Sequence, residues 1–209
     1  RPATRRAWFA GDHDWIYQPS RWRSWTSLVP LDPQPLLKGV EAKRKTGLSY
    51  FFQYGSVYVL GGNSGYEDYW GPTWALSDQN TLTGDAFGGC PNSDLRHLVV
   101  AQVERLAREF GIGPYLNAFP IAWCRNPEHG CGYTDSFGQP AHTSTLPGLR
   151  DELKRIHKLT HRYGCKVFCK NQSQFILPVH AFGDLWIPGG QYGAKLVGHW
   201  EHYYSQELP

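Results

Sequence analysis

The densest run of chemically capable side chains begins at Trp123 and ends at Asp135, with the sequence W-C-R-N-P-E-H-G-C-G-Y-T-D. General acid–base cleavage of a glycosidic bond requires two positioned carboxyl groups, and Asp135 is the first candidate acid. The alternative for Asp135 is a turn role, because it opens the sequence D-S-F-G. Glu128 follows a proline and is better explained as a solvent-exposed turn residue. The candidate substrate contacts in this run are Trp123, Arg125, His129 and Tyr133.

A second set of polar side chains follows apolar runs that we expect to be strands. Amide side chains at the end of a strand are suited to binding the hydroxyl or acetamido groups of a sugar, and the alternative is an ordinary polar loop. Asp184 lies in this set and is the second candidate acid. The candidate substrate contacts of this set are Asn117, Asn171, Gln172, His180, Gln191 and Tyr192.

The first long loop supplies two adjacent acids, Glu67 and Asp68, which are the remaining candidates for catalysis. Trp70 and Trp74 follow them and form either a wall for stacking sugar rings or the packed core of the loop itself. Aromatic residues make up 15% of the chain, and many lie in stretches rich in Gly, Pro and Asn. Aromatic rings on loops more often line a recognition surface than a core.

The five cysteines leave at least one unpaired in any set of intrachain disulfides. Cys124 and Cys131 bracket a turn and allow a local disulfide, which would fit a secreted protein. A zinc site built from Cys124, His129 and Cys131 is an alternative, but the spacing C-x4-H-G-C matches none of the common zinc patterns. We therefore favour a disulfide or free thiols, and expect no metal and no cofactor.

These residues must be positioned by a unit that occurs three times: an amphipathic helix, a glycine, and a short β-rich run. Leu149, Leu153 and Ile156 illustrate the helical spacing that predicts one buried face. Gly111 and Gly164 stand where a left-handed helix cap is expected. The predicted helix and strand pairs are Pro33–Lys45 with Leu48–Tyr54, Asp94–Phe110 with Gly113–Phe119, and Leu146–Tyr163 with Cys165–Lys170.

Alternating helices and strands predict an α/β fold with a parallel sheet. The connections that leave the strands are long and those that enter them are short, as expected where one edge of the sheet carries the site. Further strands are expected at Ala181–Ile187 and near Arg23–Val29. This makes about five strands where a complete barrel has eight. We therefore predict a partial or incomplete (β/α)8 TIM-type barrel, with an open doubly wound sheet as the alternative.

The sequence predicts one domain over residues 1–209, comprising an N-terminal aromatic segment (1–32), the βα repeats (33–192) and a tail (193–209). A partial barrel would expose a sheet edge, so we expect missing flanking domains or self-assembly to cover it. The chain begins at Arg1 and contains no Met, which we interpret as a trimmed piece of a larger protein.

The charge pattern excludes some partners. The net charge is only +3 and its basic residues are scattered, whereas nucleic-acid-binding domains cluster them on one face. No stretch approaches the ~20 apolar residues of a membrane span. We expect a glycan or amino-sugar as the partner, and secretion or a periplasmic location.

Three stretches resemble bacterial barrel proteins of the glycoside hydrolase family 123 type. They are C-R-N-P-E-H-G-C-G-Y-T-D-S-F-G (Cys124–Gly138), L-P-G-L-R-D-E-L-K-R-I-H (Leu146–His157) and H-A-F-G-D-L-W-I-P-G-G-Q-Y (His180–Tyr192). The resemblance implies β-N-acetylgalactosaminidase activity by a substrate-assisted mechanism. In that mechanism the acetamido oxygen of the sugar attacks the anomeric carbon, one carboxylate orients the amide, and a second acid protonates the leaving group.

Two positions depart from the family pattern, since Asn117 and Gly190 each stand where the family has a carboxylate. An amide cannot replace an acid in proton transfer. The sequence therefore predicts a glycoside hydrolase-like protein acting on N-acetylhexosaminides, or alternatively a carbohydrate-binding or structural protein that has lost its catalytic acids. A different, metal-assisted hydrolase or lyase using His129, His180 or the cysteines is the third interpretation.

Overall fold

The computed structural model describes residues 7–9, 33–45, 49–54, 59–60, 73–76, 81–83, 86–117, 121–171 and 176–188. Several predicted features lie outside these ranges: Glu67, Asp68, Trp70, Gln172, Gln191, Tyr192 and the strand near Arg23–Val29. None of the helices in the described part of the chain combines the length and apolar character that a bilayer-spanning segment needs.

Helices and strands alternate along the described chain. The helices are α1 (Pro33–Lys45), α2 (Leu95–Phe110), α3 (Leu146–Arg162) and the short α4 (Leu177–His180). The main-sheet strands are β1 (Ala7–Phe9), β2 (Ser49–Tyr54), β6 (Gly113–Asn117), β11 (Phe168–Asn171) and β12 (Leu185–Pro188). Shorter strands lie in the connections: β3 (Val59–Leu60), β4 (Thr81–Thr83), β5 (Ala86–Gly88), β7 (Trp123–Cys124), β8 (Tyr133–Thr134), β9 (Pro140–Ala141) and β10 (Thr143–Ser144).

The five main strands pair in the order β1-β2-β6-β11-β12, and every pair is parallel. The spatial order follows the chain order without reversal. A doubly wound sheet reverses its strand order at a switch point, whereas the wall of a barrel does not. No pairing between the described strands joins β12 back to β1, so the described sheet is open.

The helices pack together on one face of this sheet. Val40 of α1, Val99 of α2 and Leu153 of α3 belong to one buried cluster, which also includes Leu116 and Cys169 from the strands. Phe51, Tyr115 and Phe168 form a separate aromatic cluster on alternate strand positions, hence on the other face. Helices on one face follow from right-handed crossovers that always step in the same direction.

The three predicted helix–strand units are confirmed within one to three residues at the described ends. Gly111 and Gly164 adopt left-handed φ values of 62° and 70°, as expected for residues that end a helix. The prediction of a strand beginning at Ala181 is wrong, because residues 181–184 form a turn and bend after α4. The strand begins only at Leu185, after the Asp184 and Leu185 amides have both donated to the Val167 carbonyl.

The adjacent acids Asp151 and Glu152 of α3 lie in different environments. Asp151 is half-exposed and lies 3.8 Å from Arg96 and 3.6 Å from Arg155. Glu152, however, lies on the buried face of α3 with only 1% of its surface exposed. Burial raises its pKa well above the ordinary value, and the positive charges of Arg96 and Arg155 only partly oppose this. The folded protein therefore favours the protonated, neutral carboxyl group.

Replacement of Glu152 tests this assignment through the pH dependence of stability. Because the folded-state pKa is raised, the unfolded chain releases this proton first, and stability falls as pH rises above the unfolded-state pKa. Glu152→Gln removes that loss. We expect it to match the wild type near pH 4 and to be more stable by about 1 kcal/mol or more at pH 7.

Urea unfolding at the two pH values measures the difference. Asp151→Asn is the matched control, and since that side chain is half-exposed we expect a change within about 0.5 kcal/mol at both pH values. An advantage of Glu152→Gln that does not grow with pH would contradict a raised pKa.

Candidate functional site at the carboxyl-terminal edge of the sheet

Two predicted strand-end residues lie on the same edge of the sheet. Asn117 is the last residue of β6 and Asn171 is the last residue of β11. The two strands are parallel, with Lys170 opposite Asn117, so they end within about one residue of each other. The expectation that these two positions share one edge is therefore confirmed for the backbone. We call it the carboxyl-terminal edge.

The connection from β6 to α3 starts at this edge, and residues 121–145 of it are described. It folds back on itself, because β7 pairs antiparallel with β10 and β8 with β9. Thr145 closes the base: its amide donates to the Ala122 carbonyl, and its hydroxyl accepts from the Ala122 amide at 2.9 Å. Thr145 is also the N-cap residue of α3, but its hydroxyl bonds to Ala122 and does not cap the helix.

This connection carries exposed aromatic rings. Trp123 is 65% exposed, Tyr133 is 59% exposed and Phe137 is 86% exposed. The sequence analysis predicted the first two as substrate contacts and missed Phe137. The guanidinium residue Arg125 is also exposed. Trp74, by contrast, is only 7% exposed and belongs to the core. The alternative of a packed loop core is therefore the better description of Trp74.

The acid candidates in the described residues have other partners. Asp135 Oδ1 accepts hydrogen bonds of 2.8 Å from the amides of Phe137 and Gln139, which closes the turn between β8 and β9. Asp184 precedes β12, so it lies at the amino-terminal edge of the sheet, opposite Asn117. Its carboxylate accepts from the Val167 amide at 2.7 Å. The expectation that Asp184 joins the strand-end set is thus not met.

His180 is buried, with 2% of its surface exposed, and its ring packs edge-on against Trp186. Its Nδ1 accepts a hydrogen bond of 2.6 Å from the Ile176 amide. Burial lowers its pKa below the ordinary value, so the neutral ring is favoured. In the described structure this predicted substrate contact packs inside the fold.

A second group of polar side chains occupies the amino-terminal edge. His161 Nε2 lies 2.9 Å from both carboxylate oxygens of Asp184. His157 stacks on His161 with ring centroids 3.9 Å apart, and its Nδ1 donates to the Phe182 carbonyl at 3.0 Å. These donor atoms are close enough to hold a metal ion. The three side chains also contact one another directly, through the His161–Asp184 hydrogen bonds and the stacking of His157 on His161, and these contacts account for their arrangement.

A cluster of three thiols and one imidazole lies at the base of the connection. The ligand atoms of Cys90, Cys124, His129 and Cys131 all lie within 4.8 Å of one another. The three cysteines are buried and none of the five in the chain forms a disulfide. Burial raises the pKa of the Cys90 and Cys131 thiols. The predicted substrate contact His129 belongs to this cluster and is half-buried.

Cys90 is the member that sequence reasoning missed. It precedes α2 and comes from the connection after β2, whereas the other three come from the connection after β6. The available signal was its context, G-G-C-P, in which a cysteine follows two glycines and precedes a proline just before a helix. In the structure Gly88 ends β5 and Gly89 forms a bridge with Ala75, which places Cys90 in the buried cluster just before α2.

An open groove runs beside the cluster. Its volume is about 370 Å³, and His129, Cys131, Arg96 and Asp151 are among the residues that line it. Arg96 Nη1 donates to the carbonyls of Pro91 and Asn92 at 3.3 and 2.9 Å, so part of its hydrogen-bonding capacity is already used by the segment before α2.

No family model matches this chain, and no curated protein matches it. Among solved structures, it is similar to alpha-L-fucosidase isoenzyme 2 from Paenibacillus thiaminolyticus, with a TM-score of 0.48 and 17% identity over 67% of this chain. It spans only 23% of the length of that fucosidase. It is also similar to the glycoside hydrolase domain of PelA from Pseudomonas aeruginosa, with a TM-score of 0.46 and 15% identity.

The match to the PelA domain covers 97% of this chain and 80% of that domain, and a variant of the same domain gives a TM-score of 0.47. With TM-scores under 0.5, these likenesses assign this chain to no family and no substrate.

The role of Asp135 in its turn can be tested by two substitutions. Asp135→Ala removes the acceptor for two amides, and we expect a local loss of about 1 kcal/mol, seen as roughly fivefold faster hydrogen exchange of those amides. Asp135→Asn keeps a side-chain oxygen that can accept both bonds, and exchange should stay within about twofold of wild type. Equal acceleration in both variants would contradict the turn role.

Proposed function

We propose that this chain is a carbohydrate-active protein that binds a glycan at the carboxyl-terminal edge of its sheet. The observation that carries the proposal is the exposure of Trp123 and Tyr133 on the connection that starts from this edge. The flat faces of these rings suit the apolar C–H faces of sugars, and the indole N–H and phenol O–H can bond to hydroxyl groups. Arg125 lies between them in the chain and can donate hydrogen bonds to hydroxyl groups.

The architecture supports the same location. The strands follow one another in chain order, and the helices share one face. Both features favour the wall of a (β/α)8 barrel over a doubly wound sheet. In barrel enzymes the site is built from the connections at the carboxyl-terminal ends of the strands. The described strands form only part of such a wall, and we propose that strands outside the described ranges or from another copy complete it.

The substrate class that we propose is an N-acetylhexosamine-containing glycan. Its support is the sequence resemblance of residues 124–138 and 180–192 to glycoside hydrolases of the family 123 type, together with the amide residues Asn117 and Asn171 at the described edge. Amide groups can both donate to and accept from an acetamido group.

Hydrolysis is the second candidate function, and the position of β2 favours it. Tyr54 at the end of β2 pairs with Leu116, next to the end of β6, so the connection that carries Glu67 and Asp68 also starts from the carboxyl-terminal edge. In the proposed substrate-assisted mechanism one carboxylate holds the acetamido N–H while the acetamido oxygen attacks the anomeric carbon. The other acid donates a proton to the departing oxygen.

Substitution of Trp123 tests the binding surface. Trp123→Ala removes an exposed stacking ring, and we expect at least tenfold weaker binding of an oligosaccharide that contains N-acetylgalactosamine, measured by isothermal titration calorimetry. Leu37→Ala is the matched control, because Leu37 is an exposed apolar residue (39%) on a different element, α1. Equal affinity of wild type and Trp123→Ala would rule out this surface.

Turnover of a chromogenic N-acetyl-β-galactosaminide separates binding from hydrolysis. If the protein is an enzyme, Glu67→Gln or Asp68→Asn should lower kcat by roughly 100- to 10,000-fold, while Asp135→Asn should leave it within about threefold. Glycan binding without turnover in the wild type would identify a non-catalytic binding protein. Loss of turnover only in Asp135→Asn would assign the acid to Asp135 and contradict the turn role.

A further inference from the structure

We propose that Cys90, Cys124, His129 and Cys131 form a structural zinc site. Three cysteines and one histidine are an established ligand set for structural zinc. The site goes beyond the glycan-binding function proposed above and does not depend on it. It also replaces our sequence-based expectation of a disulfide or free thiols without metal.

The distances between the donor atoms fit a tetrahedral ion. Zinc bonds of about 2.3 Å to sulfur and 2.0 Å to nitrogen place two sulfurs ~3.8 Å apart and a sulfur and a nitrogen ~3.5 Å apart. The Sγ atoms of Cys90 and Cys131 are 4.0 Å apart, and Cys124 Sγ lies 3.4 Å from His129 Nε2. All four donor atoms lie within 4.8 Å of one another. An ion at their centre requires only small side-chain adjustments.

The surrounding hydrogen bonds prepare the histidine for a metal. His129 Nδ1 lies 2.6 Å from the Thr73 carbonyl, which can only accept, so the proton is on Nδ1. The lone pair of Nε2 then points toward Cys124 and the rest of the cluster. Histidine ligands of zinc typically donate their other ring nitrogen to a carbonyl or carboxylate in this way.

The sulfur atoms also receive hydrogen bonds that suit thiolates. The side-chain amide of Asn92 donates to Cys131 Sγ at 3.4 Å, and the backbone amide of Asn126 donates to Cys124 Sγ at 3.5 Å. Donors directed at sulfur stabilise negative charge there, which is the state that binds zinc. Binding would convert three thiols to thiolates and release three protons, leaving one zinc ion held by three thiolates and a neutral imidazole.

The local backbone is shaped to bring three ligands together. Asn126 accepts from the Glu128 amide through its side chain, and the single turn of Pro127–His129 follows. Gly130 and Gly132 have φ values of 76° and 91°, which reverse the chain on either side of Cys131. Cys124, His129 and Cys131 are therefore presented from one tight turn, and Cys90 completes the set.

The zinc site joins the connection after β2 to the connection after β6, at a place where few apolar side chains are buried between them. Among the described residues, Leu76 is the one other apolar residue that packs against the three cysteines, and it is partly buried. Asn92 extends the network, because it donates to the Ser144 carbonyl and accepts from the Gly148 amide at the start of α3. A Cβ atom at Gly148 would lie 2.3 Å from the Pro91 carbonyl oxygen, so only glycine allows this approach.

The ligand set favours a structural role over a catalytic one. Four protein donors complete the tetrahedral shell, whereas catalytic zinc sites keep one position open for water or substrate. Thiolate ligands also favour zinc over magnesium or calcium, which prefer oxygen.

Metal analysis of the full chain tests the proposal. Protein purified under reducing conditions from zinc-supplemented cells should contain about one zinc per chain by inductively coupled plasma mass spectrometry. Cys90→Ser and Cys131→Ser should each lower zinc content at least fivefold at equal free zinc. Cys165→Ser is the matched control, because Cys165 forms no disulfide and lies outside the cluster, and this variant should keep its zinc.

Cobalt substitution keeps the test informative if the serine variants fail to fold. The wild type should show the intense visible bands of tetrahedral cobalt and a thiolate charge-transfer band. His129→Cys should retain the metal and shift the visible bands to longer wavelength, as expected for four thiolates.

Five results would overturn the assignment, and the first four concern the cluster itself. They are zinc below one tenth of an equivalent, an octahedral cobalt spectrum, zinc loss in Cys165→Ser equal to that in Cys131→Ser, and an intact mass that shows a disulfide between cluster cysteines in the zinc-supplemented protein. Loss of the zinc in His161→Gln, with none lost in Cys131→Ser, would instead place the metal at the His157, His161 and Asp184 group and also overturn it.

Discussion

The parallel pairing of the main sheet is the constraint on which the rest of this structure depends. Parallel strands joined by helices must return to the same edge each time, so all connections that leave the strands gather at the opposite edge. Here the connections that enter the strands are short, and those that leave β2 and β6 are long. Asn117 and Asn171 therefore end neighbouring strands at one edge, and any site formed by the connections that leave the strands is built there. The helices pack on one face of the sheet and contribute residues such as Val99 and Leu153 to the core.

The connections after β2 and β6 are ordered mainly by polar contacts. In the described part of the connections, the thiols of Cys90 and Cys131 replace large apolar side chains as the buried centre. Asn92 then links that centre to α3, and Asn126 donates to the Ala75 carbonyl at 2.9 Å to link it to the first connection. Each of these amides satisfies backbone groups that would otherwise be costly to bury. Trp123 and Tyr133 of the second connection remain in solvent, whereas Trp74 of the first connection packs into the core.

The sequence predicted those features that local signals determine. Helix α3 was predictable because apolar spacing and a following glycine both act within a few residues, and the same holds for α2. The burial of Glu152 was not predictable, since it depends on how α3 meets its neighbours. The position of Asp184 was missed for a similar reason: the preceding turn, not a strand, delays β12 until after that residue. Cys90 joins its partners only through tertiary structure, and the spacing of Cys124, His129 and Cys131 alone matched no familiar metal motif.

The positions of the acids restrict how this fold could act on a glycan. A four-ligand zinc site would have no open position, so it would supply no metal-bound water for hydrolysis. Asp184 is committed to the amino-terminal edge, where it pairs with His161, and Asp135 accepts two amides of its own turn. Of the acid candidates, Asp135 and Asp184 are thus held in other contacts, and Glu67 and Asp68 on the connection after β2 remain the acids of our proposal. The proposed mechanism requires one acid to reach the glycosidic oxygen and the other to reach the acetamido group of the same sugar. In this proposal, catalysis would depend on how Cys90 anchors the connection after β2, because that connection carries Glu67 and Asp68. Binding through the exposed rings of Trp123 and Tyr133 would not require those two acids.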